Sequence, residues 1–103
     1  MAEYIFAYHG GDQPGSPEEG AKLMAKWNAW LDDLGEASVN PGSPLGMSKT
    51  VSASGVTDDG GPNPLNGYSI VKASSIEDAI ELAKSCPFLE INGSIEVAEI
   101  RSM

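Results

Sequence analysis

The first residues of the chain alternate in the manner of a β-strand. In EYIFAYH, residues 3–9, one face carries the aromatic side chains at positions 4, 6 and 8, and the other carries Ile5, Ala7 and His9. Aromatic and β-branched residues favour extended backbone, and the segment ends at Gly10-Gly11. We therefore predict a first strand over residues 3–9, with apolar side chains on both faces.

Helical spacing follows in SPEEGAKLMAKWNAWLDDLG, residues 16–35. Ser16 can cap the helix, Pro17 suits its first position, and Glu19 completes a capping box. The apolar positions are Leu23, Trp27, Trp30, Leu31 and Leu34, with Met24 beside them. Gly35 stands where a left-handed C-terminal cap is expected. The pattern predicts a helix over residues 17–34.

The middle of the chain is divided by turn signals. Residues 36–46 contain two prolines and two glycines, which predict a short extended piece near residues 37–39 and then a loop. SKTVSASGVT, residues 48–57, is compatible with β-structure and predicts the second strand. DDGGPNPLNG, residues 58–67, has turn composition, and YSIVKA, residues 68–73, predicts the third strand.

A second helix and a last strand complete the pattern. Either Ser74 with Glu77 or Ser75 with Asp78 can form its capping box, and Pro87 ends the helix near Ser85. SIEVAEI, residues 94–100, predicts the fourth strand. The order β-α-β-β-α-β is that of the α+β, ferredoxin-like class, in a single domain over residues 1–103. We expect a four-stranded antiparallel sheet with two helices on one face.

The strand faces predict a homodimer. The first and last strands carry apolar side chains on both faces, for example Ile95 and Val97 against Ala98 and Ile100. Two helices cover only one face of the sheet, and a second copy of the chain is the simplest cover for the other.

Composition limits the classes of function. The chain has 15 acidic and 6 basic residues, a net charge of −9, which repels nucleic acids and anionic lipid surfaces. We expect no nucleic-acid or membrane partner, and the N-terminal sequence lacks the basic and apolar regions of a signal peptide. With one cysteine, a reducing cytoplasmic location is expected. No metal-ligand or nucleotide-binding spacing occurs, so we expect neither metal nor cofactor.

Few residues are candidates for chemistry. His9 ends the first strand beside a glycine-rich turn, and Asp12 is close enough in sequence to orient its imidazole; the alternative is a structural histidine. Cys86 follows a helix C-terminus, the wrong end of the dipole for a reactive thiolate, which favours a buried inert thiol over a redox or catalytic group.

The helical aromatic residues admit two interpretations. Aromatic residues at this spacing usually belong to a core. Trp27, Trp30 and Met24, with Tyr68, could instead line a cleft between helix and sheet that holds a small apolar or aromatic molecule.

Two segments, WNAWLDDLGE and GYSIVKASSIEDAIELAKSCPFLEINGSIEVAEI, resemble the YCII-related proteins, a family that overlaps the DGPF-domain group. The resemblance is most specific over residues 67–100 and implies a dimeric α+β barrel, in which two ferredoxin-like sheets pack face to face. One branch has a suspected catalytic histidine on the first helix, whereas the first helix here contains none. The DGPF motif also lacks its phenylalanine in DDGGPNPLNG.

Two functions remain open from the sequence. The first is a small dimeric protein that binds an apolar or aromatic molecule in the helix–sheet cleft. The alternative is a cofactor-independent enzyme of isomerase, lyase or dehalogenase type, with His9 as general base and Asp12 orienting it.

Overall fold

A computed structural model of the chain describes residues 1–102. Its elements, in chain order, are β1 (Ala2–Gly10), α1 (Pro17–Leu34), β2 (Ser38–Pro44), β3 (Thr50–Ser52), β4 (Gly55–Thr57), β5 (Leu65–Ala73), α2 (Ile76–Lys84) and β6 (Gly93–Ile100). Short 3-10 helices cover Gly35–Ala37 and Pro87–Ile91. Among residues 1–102, no helix combines the length and the apolar character that a membrane-spanning helix requires.

The main sheet has four antiparallel strands in the order β2-β5-β1-β6. The inner strand β1 places Phe6 opposite Ser69 of β5 and Val97 of β6. Both helices belong to the connections between strands of this sheet, as in the ferredoxin-like class. The predicted α+β fold with two helices and a four-stranded sheet is thus confirmed.

The helix boundaries follow from their caps. The hydroxyl of Ser16 accepts a hydrogen bond from the backbone N–H of Glu19, and α1 ends at Gly35 with a φ of 53°. The predicted range of this helix is confirmed. For α2, the cap is Ser75, whose hydroxyl accepts a bond from the N–H of Asp78 at 3.2 Å. Of the two serines that the sequence allowed as the N-cap, Ser75 is the one that caps the helix.

The core lies between the helices and the face of the sheet that carries the aromatic residues of β1. Its buried members are Tyr4, Phe6, Tyr8, Trp30, Leu34, Val71, Ala73, Ala79, Ala83 and Cys86. The ring of Phe6 stacks on Trp30 of α1 with centroids 6.3 Å apart. An aromatic pair of this kind stabilises the folded protein more than the burial of its apolar area alone would.

The predicted second strand is wrong. The sheet takes its edge strand from Ser38–Pro44, whereas residues 48–57 form a separate hairpin of two three-residue strands. Pro41 and Pro44 suggested a loop, but an edge strand needs backbone donors on only one side and tolerates proline. The small polar residues around Val51 and Val56 bury too little to join the core, and these two valines face each other across the hairpin. We call residues 48–59 the hairpin arm.

Candidate ligand-binding cleft

A cleft of about 480 Å³ opens between α1 and the sheet, near the end of β1. One wall comes from α1, and the others come from the β1–α1 loop, β2, β5 and the 3-10 helix after α2. Its main side chains are Tyr8, Asp12, Leu23, Met24, Trp27, Asn28, Leu31, Phe88 and Ile91. We call this feature the helix–sheet cleft; its volume is in the range of small-molecule sites.

Three aromatic rings form the inner wall of the cleft. The rings of Tyr8 and Trp27 meet edge to face, with centroids 5.3 Å apart and planes at 88°. Phe88 lies 5.3 Å from Tyr8 and 6.2 Å from Trp27, tilted against both. Tyr8 faces the helices because it shares its side of β1 with Phe6. We call Tyr8, Trp27 and Phe88 the aromatic triad.

Phe88 takes its place because two glycines leave room for its ring. A β-carbon on Gly11 would lie 2.7 Å from the ring, and one on Gly93 would overlap it. Gly11 also has a φ of 89°, a conformation that side chains with a β-carbon rarely adopt. The turn at the end of β1 and the start of β6 therefore both depend on glycine.

The hydroxyl of Tyr8 is hydrogen-bonded within the protein and does not face the cleft as a free donor. It donates a hydrogen bond of 2.7 Å to the hydroxyl of Ser69, which in turn donates to the carbonyl of Pro41 at 2.8 Å. Burial raises the pKa of Tyr8 well above its ordinary value, while the bond to Ser69 works in the opposite direction. Like an ordinary tyrosine, Tyr8 is neutral at physiological pH, and it offers the cleft an uncharged ring.

Asp12 stands in the loop that follows β1. Its carboxylate Oδ2 accepts a hydrogen bond of 2.6 Å from the side-chain amide of Asn92, and its backbone N–H donates to the carbonyl of Ile91 at 2.7 Å. These two bonds tie the loop to the end of the second 3-10 helix. Asp12 is exposed, so its carboxylate lies at the rim of the cleft rather than in its interior.

His9 lies on the other face of the sheet, away from the cleft. Its Nε2 is 2.9 Å from Oε1 of Glu96, and its Nδ1 is 3.1 Å and 3.2 Å from the carbonyl oxygens of Asn63 and Pro64. All of these neighbours carry acceptor oxygens, so both ring nitrogens of His9 are engaged within the protein. The carboxylate beside His9 is thus Glu96, whereas Asp12 pairs with Asn92. His9 holds the loop before β5 against the sheet.

The four residues that the sequence suggested for the cleft differ in where they lie. Trp27 and Met24 supply side chains to the cleft. Tyr68 borders it through its backbone, because its register opposite Ala7 turns the side chain to the other face. Trp30 lies outside, buried between the helices, where its indole N–H is 3.2 Å from both the carbonyl of Leu82 and the hydroxyl of Ser85.

Cys86 is buried, as predicted, with 2% of its surface exposed. Burial raises the pKa of its thiol to about 11, although the backbone N–H of Phe88 opposes this shift. The thiol is therefore protonated at neutral pH and lacks the thiolate that nucleophilic or redox chemistry needs. Within residues 1–102, no three His, Cys, Asp or Glu side chains are grouped as a metal site requires.

Tyr8, Phe88, Glu96 and Asn92 were not singled out from the sequence. Tyr8 shares the spacing of the core residues of β1, and only the position of α1 shows that it borders a cleft. For Phe88, the signal was the pair of glycines at positions 11 and 93, which lie far apart in sequence and meet only in the folded chain.

The chain matches a known protein family in sequence. A family model described as the YCII-related domain matches residues 4–103. The chain belongs to the YCII-related family. No curated protein matches this YCII-related chain in sequence.

A solved structure similar to the YCII-related chain is that of 5-chloro-2-hydroxyhydroquinone dehydrochlorinase (TftG) from Burkholderia phenoliruptrix AC1100, in complex with 2,5-dihydroxybenzoquinone. The two are 21% identical, with a TM-score of 0.56, over 98% of this chain and 94% of the dehydrochlorinase. At this identity the likeness establishes a shared fold.

Proposed function

We propose that this YCII-related protein binds a small aromatic molecule in the helix–sheet cleft. The observation that carries the proposal is the aromatic triad, whose three rings border a cleft of about 480 Å³. Small-molecule sites are lined mainly by apolar and aromatic side chains with a few polar groups, and this cleft has that character. TftG, which shares the fold, was solved in complex with a single-ring ligand, 2,5-dihydroxybenzoquinone.

The test uses 4-hydroxyphenethyl alcohol, a neutral single-ring probe, in isothermal titration calorimetry. We expect saturable one-to-one binding, and we expect Trp27→Ala to weaken it at least tenfold because a triad ring is lost. Trp30→Phe is the control: Trp30 lies outside the cleft but packs edge to face on Trp27 with centroids 5.5 Å apart, and phenylalanine keeps a ring in that position. If the probe gives no saturable heat at millimolar concentration, or if both variants weaken binding equally, the proposal fails.

The second candidate is a cofactor-independent enzyme of isomerase, lyase or dehalogenase type, favoured by the dehydrochlorinase activity for which TftG is named. The surroundings of His9 oppose a role as general base, because its nitrogens face Glu96 and two backbone carbonyls. Asp12 is the carboxylate among the residues lining the cleft. Loss of hydrogen chloride from a substrate transfers one proton to a base and releases chloride.

Chloride release from 5-chloro-2-hydroxyhydroquinone tests this candidate. If catalysis occurs, Asp12→Asn should abolish it when Asp12 is the base, whereas His9→Gln should abolish it when His9 is the base. An absence of chloride release from the unmodified protein would exclude this dehydrochlorination.

We also propose that the protein is a homodimer formed sheet to sheet. The face of the sheet opposite the helices carries Ile5, Ile70, Ala98 and Ile100, and the last of these is 42% exposed. A stable interface buries about 1,600 Å² in total, with an apolar centre, and this face supplies such a centre. Glu3 of β1 lies opposite Lys72 of β5 near the ends of these two inner strands, where opposite charges are neighbours.

A further inference from the structure

The helix–sheet cleft carries charge of one sign. Among the residues that line it, Asp12 is the one with a charged side chain, and none is Lys, Arg or His. The nearby Lys26 of α1 forms an ion pair of 2.8 Å with Glu90. With a net charge of −9 on the whole chain, an anionic ligand would meet repulsion at the cleft and no compensating cation within its lining.

The carboxylate of Asp12 is held at the rim and retains a free acceptor. Asn92 donates to Oδ2, and the backbone bond to Ile91 holds the loop in position. Oδ1 accepts no hydrogen bond from residues 1–102 and is therefore available to a ligand group. A carboxylate oxygen favours a donor, and a cationic donor makes the stronger hydrogen bond.

The aromatic triad also favours a positively charged ligand. The faces of tryptophan, tyrosine and phenylalanine rings attract cations through their quadrupoles. Tyr8 is neutral at physiological pH, as an ordinary tyrosine is, so the triad acts through its rings alone. Trp27 and Phe88 are half-buried, which leaves part of each ring accessible from the cleft.

We propose that the cleft selects a positively charged aromatic amine, with its ammonium group on Asp12 and its ring against the aromatic triad. This inference rests on the proposed function and specifies the chemical class of the ligand. Because Asp12 is exposed, its ion pair is modest, and cation–π attraction adds to it. We expect the amine to bind about tenfold more tightly than a neutral analogue at low salt.

The experiment compares three probes with one ring and one two-carbon chain: 4-hydroxyphenethylamine, 4-hydroxyphenethyl alcohol and 4-hydroxyphenylacetate. They present an ammonium, a hydroxyl and a carboxylate group at neutral pH. Calorimetric titration at low ionic strength should rank the amine first, the alcohol second and the acid last. In Asp12→Asn, which keeps the acceptor for Asn92, the ratio of amine to alcohol affinity should fall by at least about threefold, and the cation–π part of the preference should remain.

Glu18→Gln is the matched control, because it removes one negative charge from an exposed site outside the cleft. It should preserve most of the amine preference, whereas a ratio reduced as much as in Asp12→Asn would make the effect one of net charge and overturn the inference. Equal affinity for amine and alcohol, or tightest binding of the acid, would overturn it while the proposed function stands. If none of the three probes binds, both proposals fail.

Discussion

The ring of Phe88 lies against the backbone of Gly93, where a β-carbon would overlap it. Gly11 approaches the same ring from the end of β1, so the ring occupies a space that two chain segments leave open. The inner wall of the cleft thus depends on residues that carry no side chain.

Gly93→Ala should therefore destabilise the protein. The new methyl group forces Phe88 out of its place, and overpacking of this kind costs about 1–3 kcal/mol in the free energy of unfolding. Urea denaturation followed by tryptophan fluorescence measures the change. Gly46→Ala is the control, because a β-carbon there has no heavy atom within 4 Å. Equal stability of the two variants would contradict the packing described for Phe88.

The two tryptophans should differ in what they support. Trp30 is 4% exposed and packs on Phe6, so Trp30→Ala should lower the free energy of unfolding by about 3–5 kcal/mol. Trp27 is half-buried, so Trp27→Ala should cost less stability and more affinity for an aromatic probe. Thermal unfolding combined with calorimetric titration separates the two effects. A larger stability loss for Trp27→Ala would reverse our assignment of core and cleft.

Cys86 should make stability depend on pH above neutrality. Its pKa is raised from 9.0 to about 11 by burial, so the folded state keeps the proton that the unfolded state releases. The contribution is present below pH 9 and is lost as pH rises towards 11, which lowers the free energy of unfolding.

Comparison with Cys86→Ala over this range measures the contribution, since the buried tyrosines remain in both proteins. The difference in unfolding free energy between the two should shrink as pH increases. In the unmodified protein at pH 8, a thiol reagent should label Cys86 far more slowly than it labels the denatured chain. Rapid labelling of the native protein would show that the thiol is accessible.

His9 should act on the loop before β5. His9→Ala removes the hydrogen bonds to the carbonyls of Asn63 and Pro64, so residues 58–66 should become more sensitive to limited proteolysis. The free energy of unfolding should fall by about 1–3 kcal/mol. Glu96→Gln, which keeps an acceptor for Nε2, should have a smaller effect. An unchanged digestion pattern for His9→Ala would mean that the loop is held by other contacts.

The homodimer should be visible in sedimentation at micromolar concentration, as a species of twice the chain mass of 10.8 kDa. Ile70→Lys introduces a charge into the centre of the proposed interface and should give monomers. Ile80→Lys is the control, since Ile80 lies on α2 and is 39% exposed. Salt should strengthen association by screening the acidic chains from each other. A monomer at all salt concentrations would contradict the proposed homodimer.

The sequence was sufficient where one local pattern had one solution. Ser16, Pro17 and Gly35 define α1 because capping groups act within a few residues. It was misleading where tertiary context decided between alternatives: Pro41 and Pro44 are acceptable in β2 only because that strand is at an edge. The partner of His9 was also beyond local reasoning, because Glu96 is 87 residues away and reaches His9 through the pairing of β1 with β6.

The hairpin arm has a consequence for aggregation. Val51 is 78% exposed and Val56 is 63% exposed, and an open pair of strands with apolar side chains can recruit strands of other molecules. Each strand here has three residues, shorter than the segments of about six that build fibril cores. Lys49 and Asp58 form an ion pair at its base, and charged residues beside a short apolar segment oppose further strand addition. The arm can thus display two valines to water without acting as a seed for fibrils.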